Sequence, residues 1–288
     1  MLASIPPVDG PILVEALFTS GPPRLDLDRL EERLARQFGR VGHVAQGDTI
    51  QGGAIFALED LPARRLGDRR LPCTILFLPR LDLTDRGALA DSVRQTWDWT
   101  LVKEAVARAT AAHLVMPMFS WSWLDRGIRI ELMHAAVEAV IEQSAPSALH
   151  WPKSQCVVSP ETYRRARIGP DDPLYPAVNV RMFDGSGERP DEIVMDTLGL
   201  APLGLPDFQV RCTGLEAAEV ARQLSNLALY IFEHGDVIED GHTVESARAG
   251  GVWRCSRAAS WAEPARGVIQ LDVSAGNPDR GVRRRWSR

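Results

Sequence analysis

The chain has 288 residues, 45% hydrophobic and 25% charged, the profile of an ordinary globular protein able to bury a sizeable core without a metal or disulfide staple. A net charge of −5 removes any general attraction to nucleic acid or to anionic membranes. Cys73, Cys156, Cys212 and Cys255 stand far apart with no C-x-x-C pair. That excludes zinc-ribbon and thioredoxin-like motifs and reads as four small buried residues. The N-terminus, MLASIPPVDGPILVE, lacks a basic segment and is broken by Pro6, Pro7 and Asp9, so it is not a signal peptide. No run approaches the ~18 apolar residues of a membrane span. The expectation is a cytoplasmic protein.

In chain order, PILVEALF (11–18) predicts a buried strand. A helix follows, with Leu27, Leu30, Leu34 and Phe38 on one face, Asp28 and Glu31 in a capping pattern, and Gly39 as its stop. GAIFALE (53–59) and CTILFLPR (73–80) predict strands joined by a basic loop around Arg64, Arg65, Arg69 and Arg70. Helical spacing runs from Thr84 to Trp97 and restarts toward Ala111, and HLVMPMFSW (113–121) is then a strand. The next helix, about 125–143, sets Ile128, Leu132, Ala136 and Val140 inward and Glu131, His134, Glu138 and Glu142 toward water. ALHWPKSQCVV (148–158) returns as a strand, and 159–176 reads as a surface wrap.

AVNVRMFDG (177–185) and DEIVMDTLGL (191–200) predict paired strands, with DFQVRC (207–212) as a third after the connection APLGLP. The clearest helix comes next: Thr213 and Glu216 form a T-x-x-E capping box, Val220, Leu224, Leu227 and Ile231 a stripe, and Gly235 the stop. Strands near 237–239, 242–245, 252–257 and 267–273 complete the pattern, and 276–288 is a basic, flexible tail. The order of elements is that of an α+β protein, with mixed or antiparallel sheets and helices packed on one face. It is read as a single domain over 1–275, with sub-domains at 11–158 and 177–273, two similar α/β layers, as the alternative.

HGDVIEDGHTVE (234–245) looks most like chemistry, since His234 and His242 stand among Asp236, Glu239, Asp240 and Glu245. Each has a structural reading. His234 faces the free carbonyls at a helix end. Asp240–Gly241 suits a type I′ hairpin, and neither H-E-x-x-H nor a helical H-x-x-x-H pair is present. His113 is expected to donate to backbone. Nucleophile elbows, P-loops, dinucleotide fingerprints and calcium loops are missing from the sequence, so no cofactor, metal or catalytic residue is assigned. The W-x-W pair Trp121 and Trp123 closes a predicted strand, where i, i+2 indoles share a face and form an aromatic ledge.

DTLGLAPLGLPDFQV (196–210), LALYIFEHGDVIEDGHTVE (227–245) and AAHLVMPMF (111–119) together resemble a bacterial family known as domain of unknown function 4261. The likeness spans about 12–273. Its most specific parts are the T-L-G-L segment and the set Tyr230, Gly235, Asp240, Gly241 and Thr243. No catalytic residues come with it. The resemblance implies a setting among toxin, immunity and secretion-system genes.

The leading expectation is therefore a non-enzymatic protein-binding protein, an immunity protein that neutralises a toxin or effector. Its partner would be another bacterial protein, with no nucleic acid and no membrane. The expected interface draws on Trp121, Trp123, Glu131, Glu138, Asp236 and Asp240. Two alternatives stay open: a secretion-system adaptor or chaperone, and a hydrolase using His234, His242, Asp196 and Asp207.

Overall fold

Strands buried along most of their length, such as Val14–Phe18 and Glu192–Leu198, build the core of each half of the molecule. A computed structural model describes residues 10–47, 50–62, 64–66, 68–83, 86–97, 99–118, 121–168, 173–184, 192–248 and 250–275. The basic tail lies outside the described residues. The chain divides into two compact units, Asp9–Asn179 and one beginning at Val180.

The first unit contains, in order, β1 (Val14–Phe18), α1 (Leu27–Phe38), β2 (Val41–Gly47), β3 (Gly53–Leu58), the small hairpin β4 (Arg64–Leu66) and β5 (Arg69–Leu71), and β6 (Cys73–Arg80). Then come α2 (Arg86–Arg94), α3 (Val102–Arg108), β7 (Ala111–Pro117), α4 (Arg126–Gln143), β8 (Ala148–Trp151), β9 (Cys156–Val158) and α5 (Pro160–Ile168). Seven strands form one sheet in the order β2-β3-β6-β7-β1-β8-β9, all paired antiparallel. β2 escapes the sequence pattern because VGHVAQG is a half-exposed edge strand that pairs with β3 alone.

α1 forms as its spacing requires, with Leu30, Leu34 and Phe38 buried, each such side chain contributing roughly 1.5–3 kcal/mol. Its cap is Asp26, which accepts from the N–H groups of Asp28 and Arg29, rather than the Asp28–Glu31 pair. Gly39 ends it at φ +79°. The surface wrap expected after Ser159 is instead α5: Ser159 Oγ accepts from Thr162 N–H at 3.0 Å and Pro160 opens the helix.

Helices cover both faces of this sheet, and β8 shows why. His150 reaches Ser92 on α2, whereas the next residue, Trp151, packs on His134 of α4. Neighbouring residues on a strand point to opposite faces, so α2 and α4 lie on opposite sides. α4 is consequently enclosed nearly all round, from Ile130 to Ile141. His134, expected on its wet side, is buried between Trp151 and Tyr163 and shares a 2.7 Å hydrogen bond with the tyrosine hydroxyl.

The second unit holds β10 (Asn179–Asp184, starting at the boundary), β11 (Glu192–Leu198), β12 (Asp207–Thr213), α6 (Ala217–His234), β13 (Thr243–Glu245), β14 (Val252–Ala259) and β15 (Gly267–Asp272). The sheet order is β10-β11-β12-β15-β14-β13, with β12 and β15 parallel, so this sheet is mixed. α6 buries Val220, Leu224, Leu227 and Ile231, the stripe the sequence shows, and packs on β11 and β12. The T-x-x-E box is not used, because the helix begins at Ala217 with Glu216 in the cap position and no side-chain bond there. The whole is the expected α+β class, with single-face helical cover belonging to the six-stranded sheet.

Candidate functional site

The second unit has an ionic core. Arg181 of β10, Asp196 of β11, Asp207 at the start of β12 and Arg266 before β15 are all almost completely buried. Asp196 takes Arg181 Nε and Nη2 at 2.9 and 2.6 Å, and Arg266 Nη2 at 2.8 Å. Asp207 accepts Arg266 Nε at 2.9 Å, the Thr197 hydroxyl at 3.1 Å and Leu200 N–H at 3.2 Å. Burial pushes the Asp207 carboxyl up to about 6, against the opposing pull of the Arg266 charge. Every guanidinium donor of Arg266 finds an acceptor, the remainder being the carbonyls of Thr197, Ala262 and Pro264 at 2.8, 3.2 and 3.0 Å.

These arginines also hold an exposed loop. Arg181 Nη1 donates to Glu263 O at 2.8 Å, so three successive carbonyls, of Ala262, Glu263 and Pro264, are bound by buried guanidinium groups. Ser260 N–H donates to Arg266 O at 2.9 Å, closing the loop, and Trp261 N–H donates to Gln209 Oε1 at 3.0 Å. The Trp261 side chain, 42% exposed, lies under the Arg211 guanidinium at 5.0 Å.

The residues nominated for hydrolysis do not converge. Asp196 and Asp207 meet through arginines inside the unit, whereas His234 and His242 are exposed. His234 Nδ1–H donates to Tyr230 O at 2.9 Å and its ring stacks on Tyr230, which is the helix-end role the sequence suggested. His242 Nδ1 accepts from Glu239 N–H at 3.2 Å. The turn differs from expectation. His242 N–H donates to Glu239 O at 3.1 Å with positive φ at Gly241 (+85°) but not at Asp240, which fits a type II turn rather than type I′. Residues 237–239 are not a strand, and β13 pairs with β14 instead.

The expected acidic surface is largely neutralised. Asp236 pairs with Arg257 Nη2 at 2.5 Å, and Asp240 accepts Arg257 N–H. Glu138 pairs with Arg33 at 2.8 Å and Glu131 with Arg167 at 3.4 Å. Trp121 and Trp123 do not share a strand face, because residues 121–123 wind into a 3-10 turn that buries Trp121 and leaves Trp123 60% exposed. Arg129 clamps that turn: Nε donates to Leu124 O at 2.9 Å, Nη2 to Ser122 O at 2.7 Å, and the guanidinium sits 5.9 Å over Trp121. Asp125 caps α4 through Gly127 N–H at 2.7 Å.

A third arrangement was missed by sequence reasoning. Ser92 Oγ lies 2.8 Å from His150 Nε2, His150 Nδ1 lies 2.8 Å from Glu15 Oε2, and Arg80 donates to Glu15 Oε1 at 2.6 Å. The order is that of a serine–histidine–acid relay. Ser92 is fully buried on the inner side of α2, so the relay joins helix to sheet rather than presenting a nucleophile. The available signal was one carboxylate inside the apolar run PILVEALF and one histidine inside ALHW.

A cavity of about 510 Å3 lies elsewhere, between the loop before α1 and the β2–β3 turn, with Arg24, Gln46, Phe77 and His113 in its wall. His113 Nε2–H donates to Pro23 O at 2.6 Å, the backbone role expected of it. Among the described residues no group of three or more His, Cys, Asp or Glu is disposed to hold a metal, and no helix is long and apolar enough to cross a membrane.

Residues 196–272 match the model of a family described as Domain of unknown function (DUF4261), which supports the resemblance seen in the sequence. The matched stretch holds Asp196, Asp207, Arg266, the Trp261 loop and the 234–245 turn. No curated protein and no solved structure matches the chain.

Proposed function

We propose that this is a non-enzymatic, cytoplasmic protein that binds another bacterial protein, as an immunity protein neutralising a toxin or effector. The observation that carries the reading is Trp123. A large indole is displayed in water on a turn fixed from beneath by Arg129, Trp121 and the Asp125 cap. Aromatic anchors of this kind supply most of the energy of an interface, and a rigid mount lowers the entropy lost on binding. Of the residues first expected at the interface, Trp123 is its centre. Glu131, Glu138, Asp236 and Asp240 already have cationic or backbone partners, and Trp121 supports from below.

Coexpression with the product of a neighbouring gene that is toxic when expressed alone tests the proposal. Wild type should protect cells and a folded Trp123→Ala variant should not. Equal protection by the variant sinks this surface, and failure of wild type to protect sinks the immunity reading.

The Ser92–His150–Glu15 geometry favours a hydrolase at a site other than the His234, His242, Asp196 and Asp207 set first considered, and the burial of Ser92 weighs against it. A fluorophosphonate probe separates the two, since phosphonylation of Ser92 in the native protein would revive the enzyme.

A further inference from the structure

We infer that the loop from Ser260 to Arg266 is a recognition loop, and that Trp261 with Arg211 over its ring docks a protein segment carrying a carboxylate beside an apolar side chain. Trp261 and Arg211 belong to the unit beginning at Val180, and Trp123 to the other.

The first support is the cost of the ionic core. Removing two guanidinium groups and two carboxylates from water is expensive, and apolar residues of similar volume commonly fill such a space with equal or better stability. The gain here is position. Carbonyls of a surface loop ordinarily hydrate, yet those of Ala262, Glu263 and Pro264 are all taken by Arg266 and Arg181, which are anchored in turn by Asp196 and Asp207. Ala265 N–H, donating to Glu263 Oε2 at 2.9 Å, and the Ser260–Arg266 closure remove the remaining freedom. A buried network thus holds an exposed segment still.

What it holds still is an indole. Trp261 keeps two-fifths of its surface in water while its backbone N–H is tied to Gln209. A guanidinium stacked on a ring has its flat face occupied and its in-plane N–H edge directed outward, where a carboxylate can take two bonds at once. The Arg211 guanidinium carbon lies 5.0 Å from the Trp261 ring centroid, its side chain is 43% exposed, and its ion pair to Glu192 is long at 4.0 Å. Tryptophan and arginine are among the residue types enriched at binding hot spots. Glu192 beside Arg211 and Glu263 in the loop repel any anion, but a polyphosphate backbone with its repeated charges more than a single carboxylate that meets Arg211, so a protein segment fits better than nucleic acid.

The test uses the full chain, immobilised and panned against short displayed random peptides, alongside Trp261→Ala and Arg211→Gln variants whose melting curves match wild type. Both side chains are at the surface, and either variant alone suffices. Enriched peptides should place Asp or Glu next to an apolar residue. Synthetic copies should lose at least about tenfold in affinity on either variant and nothing on Trp123→Ala. The inference is overturned by no enriched family, by peptides that bind Trp261→Ala equally, or by peptides dominated by Lys and Arg. A single-stranded oligonucleotide that binds wild type but not Trp261→Ala would overturn it too, by assigning the loop to nucleic acid. The Trp123 proposal survives each of these outcomes.

Discussion

Arg266→Met isolates the ionic core with one change. The lost guanidinium leaves the Asp207 and Asp196 oxygens short of a donor and frees the carbonyls of Thr197, Ala262 and Pro264. Breaking a buried pair by deleting one partner costs about 3–5 kcal/mol, because an uncompensated charge remains inside. In a unit of about 100 residues each kcal/mol moves the midpoint by about 4–8 °C, so its transition should fall by about 12–40 °C. Thermal melts followed by tryptophan fluorescence measure this, and hydrogen exchange should accelerate at the amides of 260–266. The pH dependence has a definite sign. With Asp207 raised to about 6 from an unfolded value near 3.8, the folded state favours its proton. That group's contribution therefore rises as pH falls below about 6 and levels off under the unfolded value, amounting to about 1 kcal/mol between ~pH 7 and ~pH 5. Without Arg266 the carboxyl climbs further, so the gap between variant and wild type should narrow in acid. A midpoint within a couple of degrees of wild type, or a gap that widens in acid, would refute the account of the core.

Ser92→Ala should lower stability by about 1–3 kcal/mol in a denaturant titration, since it strands buried His150 Nε2; an unchanged midpoint would mean the relay holds nothing. Gly241→Val should cost about 1 kcal/mol or more through positive φ alone, as a Cβ there meets no atom within 4 Å, while His242→Ala should be near neutral. Loss of bound metal or of activity from His242→Ala with melting intact would reverse the structural reading of 234–245. Burial pushes the Cys73 thiol up to about 12 and those of Cys212 and Cys255 to about 11. A disulfide-exchange reagent should therefore find no fast thiol in the native protein, and four after denaturation.

Periodicity made the frame legible. The stripes of α1 and α6 and the apolar runs of β1, β3, β6 and β7 announce themselves within a few residues of where they lie. What the pattern could not reveal was tertiary. α4 reads as amphipathic because Glu131, Glu138 and Glu142 space out one face, yet enclosure by sheet and neighbouring helices takes His134 from that face into the core. The ionic core joins residues up to 85 positions apart, so Arg181 and Arg266 carry no local sign of Asp196 and Asp207. Glu15 and His150 are likewise brought together by strand register, lying opposite each other, and Ser92 reaches them only through the packing of α2. The W-x-W pair misled for a local reason: two indoles at i, i+2 share a face in a strand but diverge in a 3-10 turn.

Whether Trp123 is a binding anchor is measured by calorimetric titration of the purified protein against the product of a neighbouring gene that is toxic when expressed alone. The account predicts binding by wild type and, for Trp123→Ala with an unchanged melting curve, a loss of about 2 kcal/mol or more, roughly thirtyfold in affinity. Wild-type affinity retained by Trp123→Ala would contradict it.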